Sequence, residues 1–284
     1  MTVAVIADSA ASLPPGLAES RSIGVVPLQV IVDGEALAEG IGIGPDEVVA
    51  HLRGGAAVST SQPTPAAFDE AIAAAVAGGA DGIVLVAMSR ALSGTCEAAE
   101  AAAGRAPVPC EVVDTGTVAM AAGYAALAAA HVARTGGTLA DVADAARTVA
   151  VGSHCVFTVE SLDHLRRGGR IGPAVAAVGR VLGIRPVLEV RDGEVALVGR
   201  VRSAARARAA LHAAVDDALA GRTHPVVTVH GVGAEEAAVE AAREIEARHP
   251  WLGPVAVAEV SAVLAVHAGP GTLAAVVADL PMEA

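Results

Sequence analysis

Small hydroxyl side chains gather at three places where apolar runs end. They lie in DSAAS from Asp8, in STSQPT from Ser59, and in LSGT (Leu92 to Thr95) within VAMSRALSGTCEAA. In an open parallel sheet, ligands bind beyond the carboxyl ends of the strands, where turns into helices collect. Free N–H groups and the dipole at a helix start favour a negatively charged ligand, and Gly94 lets backbone approach it closely. N-capping explains any single turn of this kind. It explains the paired clusters at Thr60 and Ser93 less well. A further polar group comes late, in VHAGPGT, where His267 follows an apolar stretch read as a strand and precedes Gly-Pro-Gly. HGVGAEEAA from His230 is a poor dinucleotide fingerprint: Glu235 and Glu236 would face the pyrophosphate and the third glycine is missing. Cys96, Cys110 and Cys155 show no C-x-x-C spacing and read as small reduced core residues. No cluster has metal-ligand spacing, and no cofactor is expected.

The elements that must position these groups alternate in the first half. VAVIAD, the segment from Ile23 to Gly34, GIVLVAM from Gly82 and EVVDT from Glu111 read as extended. GPDEVVAHLRG, PAAFDEAIAAAVAGG, the Ala/Glu segment after Ser93 and the Ala-rich stretch from Met120 read as helices. Strands separated by helices of this length predict parallel βαβ units and a three-layer domain. From SHCVFTV (Ser153 to Val159) the pattern changes. Two short helices, SLDHLRRGG and GPAVAAVGRVLG, precede extended runs flanking Asp192-Gly193, a hairpin signal. The expected fold is therefore two α/β domains, 1–160 with a mainly parallel sheet and 161–284 with a mixed sheet, and a ligand between them. The boundary falls near Ser161.

Composition narrows the ligand. The chain has 284 residues, 54% of them hydrophobic, with one Trp, one Tyr and two Phe, so ligand walls must be aliphatic and ring stacking is hard to arrange. The net charge of −12 argues against nucleic acid. All 19 basic residues are Arg, and ten of them against three acids fall between Arg166 and Arg208, a local balance of +7 that suits docking or anion steering. No signal peptide and no membrane-spanning run is recognised, so a cytoplasmic location without membrane insertion is expected.

Taken in order, DS near the start, TSQPT at Thr60, LSGT at Leu92, SLDHLRRGGRI at Ser161, LGIRPVL at Leu182, RVRS at Arg200 and HAGPG at His267 resemble the DegV family over nearly the whole chain. Its characterised members are fatty-acid-binding subunits of bacterial fatty acid kinase. The resemblance implies two α/β domains with the acyl chain between them. It implies that Thr60 and Ser93 hydrogen-bond the carboxyl group, that His267 completes the network, and that Arg170 and Arg202 lie near the head group or meet the kinase. The partners would then be a long-chain fatty acid or acyl phosphate and a separate kinase catalytic subunit, feeding phospholipid synthesis. The sequence departs from the family pattern at Ala268, often Thr, and at Ala10 and Ser12. One alternative is a serine hydrolase with Ser93 as nucleophile and His267 as base, although LSGT is not G-x-S-x-G and no orienting acid is identified. A phosphate-binding protein lacks its G-x-x-x-x-G-K-[ST] loop and any Lys. A family member with another lipid ligand remains the third reading.

Overall fold

The computed structural model describes residues 1–172 and 184–280. The expected helix GPAVAAVGRVLG and the start of LGIRPVL lie outside the described residues. In the first lobe, β2 (Ile23–Val26), β1 (Val3–Asp8), β6 (Gly82–Ala87) and β7 (Cys110–Asp114) form one sheet in that order, every pair parallel. These strands read as unbroken apolar runs because both faces are covered. Period 2 divides them. Val84 and Val86 pack with helices α5 (Met120–Arg134) and α6 (Leu139–Gly152), while Ile83 and Leu85 pack with Phe68 of α3 (Pro65–Ala77) and Ala99 of α4 (Thr95–Ala103).

The stretch from Ile23 to Gly34 is not one strand. Its first half is β2, and its second half, β3 (Gln29–Val32), turns away into a small antiparallel sheet with β4 (Glu35–Ala38) and β5 (Val58–Ser61). The first three residues of STSQPT, Ser59 to Ser61, are accordingly strand rather than turn, with Thr60 paired opposite Val30. Helix α2 (Pro45–Arg53) joins β4 to β5.

The second lobe is a six-stranded mixed sheet in the order β10 (Glu194–Val201), β9 (Arg185–Arg191), β8 (His154–Thr158), β13 (Thr272–Asp279), β11 (Pro225–Val232), β12 (Ala256–Glu259). Only β11–β12 is parallel. Strand β8 precedes the expected boundary near Ser161, yet it pairs with β9 and β13, so the second sheet already begins at His154. The hairpin at Asp192-Gly193 forms with φ of 52° and 82°, the left-handed pair that a two-residue turn between twisted strands requires. One sheet face packs Val156, Val229 and Ala275 on α8 (Ala204–Leu219) and α9 (Glu235–Arg248). The other faces the first lobe. Tyr124 of α5 meets Thr228 of β11 there through a buried 2.6 Å hydrogen bond.

Candidate functional site

Strand β6 ends at Ala87, and the next residues are held tightly. The Met88 N–H donates to buried Asp8 at 2.7 Å, and the Ser89 carbonyl accepts the N–H groups of Leu92 and Ser93 at 3.0 and 3.1 Å. The Ser89 hydroxyl donates to the Gly193 carbonyl at the hairpin tip, 2.7 Å away. This turn presents Ser93, whose Oγ lies 2.8 Å from Thr95 Oγ1. A Cβ at Gly94 would stand 2.5 Å from Gln62 Oε1, which places the Gln62 side chain against the start of α4.

His267 is not in a loop after a strand. It sits in the last turn of the short helix α10 (Ala262–Ala268), capped by the Ser261 hydroxyl accepting the Leu264 N–H at 3.3 Å. Buried Glu39 accepts the Val263 N–H at 3.3 Å, tying this helix to the first lobe. Val263 and His267, four residues apart, share one helical face. His267 Nε2 lies 2.8 Å from Thr60 Oγ1, and its Nδ1 is buried with no partner. That Nδ1 packs where a Cβ of Gly168 would stand, 2.1 Å from it. The contact is reciprocated: a Cβ at Gly269 would stand 2.4 Å from His164 Cδ2, so α7 (Asp163–Arg167) and α10 interlock, each end receiving the other's imidazole over a glycine. An N–H at Nδ1 would be an orphaned buried donor, a costlier fault than an unused lone pair, and on that ground the proton is assigned to Nε2. Burial, with Arg170 and His164 nearby, pushes the His267 pKa down to about 4, so the ring is neutral at neutral pH.

These groups converge on a cavity between the lobes with about 890 Å³ of free space, its mouth included. Alternate residues of the second sheet, Cys155, Phe157, Val190 and Ala274, form its floor, and Leu28, Met88, Val118 and Val263 form its roof. Thr60, Ser93, Arg170 and His267 all line it. Arg170 donates from Nε to the Leu92 carbonyl at 3.0 Å, joining GGR to the LSGT turn. Arg202 is exposed in the bend before α8 and does not line the cavity. No hydrogen bond joins Ser93 to His267; the imidazole is engaged by Thr60 instead, so the nucleophile–base contact of a serine hydrolase is not made.

Sequence reasoning missed His230. It is 1% exposed, its Nδ1 lies 2.9 Å from the Ala258 carbonyl, and burial lowers its pKa to about 4. It lines the cavity beside Val232, and the signal available was their alternation along an apolar strand. Asp8 and Glu39, buried behind the roof, were equally unforeseen as acids; burial pushes Asp8 up to about 7 and raises Glu39. Among the described residues no cluster of His, Cys, Asp or Glu could hold a metal ion. None of their helices is long and apolar enough to cross a membrane.

The fold and cavity define a two-lobed α/β protein with an apolar hollow between its sheets. The chain matches the family model "Uncharacterised protein, DegV family" over residues 2–279, and it belongs to that family. A DegV domain-containing protein of Streptomyces coelicolor is 42% identical over 278 residues, 98% of each chain. The solved structure of a DegV family protein from Thermus thermophilus, described as fatty acid binding, superposes with a TM-score of 0.92 at 32% identity, covering 99% of this chain and 100% of that one. DegV of Bacillus subtilis, described as a fatty acid binding protein, gives 0.88 at 25% identity, covering 98% and 99%.

Proposed function

We propose that this chain binds a long-chain fatty acid in the cavity, with the carboxylate at the Thr60–Ser93–His267 end, and presents it to a separate kinase in the cytoplasm. The carrying observation is an aliphatic hollow that ends in the Thr60 and Ser93 hydroxyls, the neutral His267 imidazole and the Arg170 guanidinium. Burying about 14 methylenes at roughly 0.8 kcal/mol each offers on the order of 11 kcal/mol of gross driving force, part of it consumed by ordering the chain. The carboxylate leaves water only if partners replace it. With Nε2 of His267 donating to Thr60 Oγ1, the Thr60 hydroxyl proton is free to point at the carboxylate. Ser93 supplies a second donor. His267 thus acts through Thr60, so the direct donors to the carboxylate are two neutral hydroxyls. Arg170, at the cavity mouth, is assigned to the head group, and exposed Arg202 to the kinase surface.

The test is native mass spectrometry of the protein purified from a bacterial host, followed by titration of hexadecanoate. A co-purified fatty acid is expected, and Thr60→Ala with Ser93→Ala should weaken hexadecanoate binding about tenfold or more, since a hydrogen bond to a charged group contributes roughly 1.5–3 kcal/mol. An empty cavity, or unchanged affinity in the double variant, would overturn the assignment. Incubation with ATP alone should yield no acyl phosphate; its formation without a partner would refute a purely presenting role.

A further inference from the structure

Of the three hydroxyl clusters, DSAAS alone stays off the cavity wall, and Glu39 connects it to the carboxyl end. Ser9 donates its hydroxyl proton to Glu39 Oε2 and accepts the Leu28 N–H at 3.0 Å. Ser12 Oγ accepts the Ser261 N–H at 2.9 Å, just ahead of α10. Glu39 itself is 8% exposed and reaches in two directions. Its backbone N–H donates to the Leu28 carbonyl at 2.9 Å, one residue before β3, the strand on which Thr60 of β5 is paired. Its Oε1 accepts the Val263 N–H in the first turn of α10, and His267 follows one turn later on the same face. Burial pushes the Glu39 pKa up, and it is opposed by the Ser9 hydroxyl and by the N–H groups of Val263 and Ala262. A helix start favours such a negative group. The Ser261 hydroxyl caps α10 locally; Ser12 and Glu39 fix its place against the first lobe.

We propose that Glu39 is a positioning residue for the carboxyl end of the cavity. It anchors the small sheet that carries Thr60 through its backbone and the helix that carries His267 through its side chain, and so holds the imidazole on the Thr60 hydroxyl. The proposal rests on the fatty acid reading of the cavity. The 2.8 Å Thr60–His267 bond joins residues 207 positions apart, so its length depends on how their two elements are held. A binding constellation keeps its geometry only when supporting groups hold it to within about 0.5 Å, and slack at Val263 would pass along one helical turn to His267.

The experiment is a double-mutant cycle in hexadecanoate affinity, read by calorimetry. Glu39→Ala should weaken hexadecanoate on the order of tenfold in the wild-type chain, and less than about twofold once Thr60→Val has removed the hydroxyl that His267 orients. Glu39→Gln, which keeps the reach to Val263, should recover most of the loss. Glu39→Asp keeps the charge but not the reach and should not recover it; this variant carries the cycle if the alanine variant does not fold. A second measurement needs no ligand. The His267 Nε2–H, held on Thr60, should give an imidazole resonance in heteronuclear NMR that survives in Glu39→Gln and is lost in Glu39→Asp. Additive losses in the cycle would make Glu39 a support for the cavity wall only and overturn the proposal, as would an unchanged His267 resonance in Glu39→Asp. If wild-type protein fails to bind hexadecanoate, the fatty acid reading falls, and the His267 resonance alone decides whether Glu39 positions the imidazole.

Discussion

Ala274 and Ala275 are neighbours on β13 and are both buried, at 9% and 0% exposure, yet they serve opposite faces of the second sheet. Ala275 packs with Leu211 and Ile245 against helices, whereas Ala274 lies on the cavity floor beside Phe157. The two faces are built from the same small aliphatic residues. What separates them is whether a second layer fills the space, so the ligand site comes from what is left unpacked rather than from a special composition.

The hardest blow to this contrast comes from the filled face. Leu211→Ala, at a fully buried position, should destabilise the chain by about 2–5 kcal/mol in denaturant unfolding while leaving hexadecanoate affinity per folded molecule unchanged. Ala275→Leu overpacks the same face and should cost about 1–3 kcal/mol. Ala274→Leu adds the same atoms to open space, so its stability should move by less than about 1 kcal/mol while hexadecanoate binding weakens sharply. Equal destabilisation by both would mean that the two faces are equally filled.

Titration sharpens the contrast at the polar groups of the joint. His230 and His267 hold pKa values near 4 against an ordinary 6.5, so between about pH 6.5 and 4 the unfolded chain binds more protons and their contribution to stability falls as the pH drops. Asp8, raised from 3.8 to about 7, works in the other direction: the folded chain keeps a proton that the unfolded chain has lost, so its contribution falls as the pH rises through that window. Unfolding curves across the window should show His230→Gln losing less stability than wild type on acidification. Asp8→Asn should gain relative to wild type as the pH rises towards 7. Parallel curves would dismiss these groups as determinants. The smallest expected effect is at Ala119 on the cavity wall, which adopts φ 55°. Ala119→Gly should raise stability by up to about 1 kcal/mol, read as the unfolding midpoint.

Much of this was legible in the residues. The parallel first lobe followed from apolar runs alternating with capped helices, and the hairpin from Asp192-Gly193. Thr60, Ser93, Arg170 and His267 stand in motifs visible in the sequence, and they meet at one cavity. Other features depended on partners distant in sequence. Thr60 looked like a turn residue because its antiparallel partner, Val30, comes from a run that breaks in two at Val26. The run before His267 is short and apolar, and periodicity alone cannot separate a buried strand from a helix over such a length. Its helix is settled by the Ser261 cap and by Glu39, which arrives from β4's far end. The expected boundary near Ser161 falls after strand β8 because an apolar run such as SHCVFTV does not show which sheet it joins; its partners, β9 and β13, are distant in sequence.

The reciprocal seating of His267 on Gly168 and His164 on Gly269 has a consequence for how this region can vary. At each glycine even one methyl group would occupy the place of the opposing ring, so neither position can drift alone. The four residues form two locks with exchanged keys. Across natural variation they should be replaced in pairs or not at all, and a deep mutational scan should find them sensitive one by one but rescuable two by two.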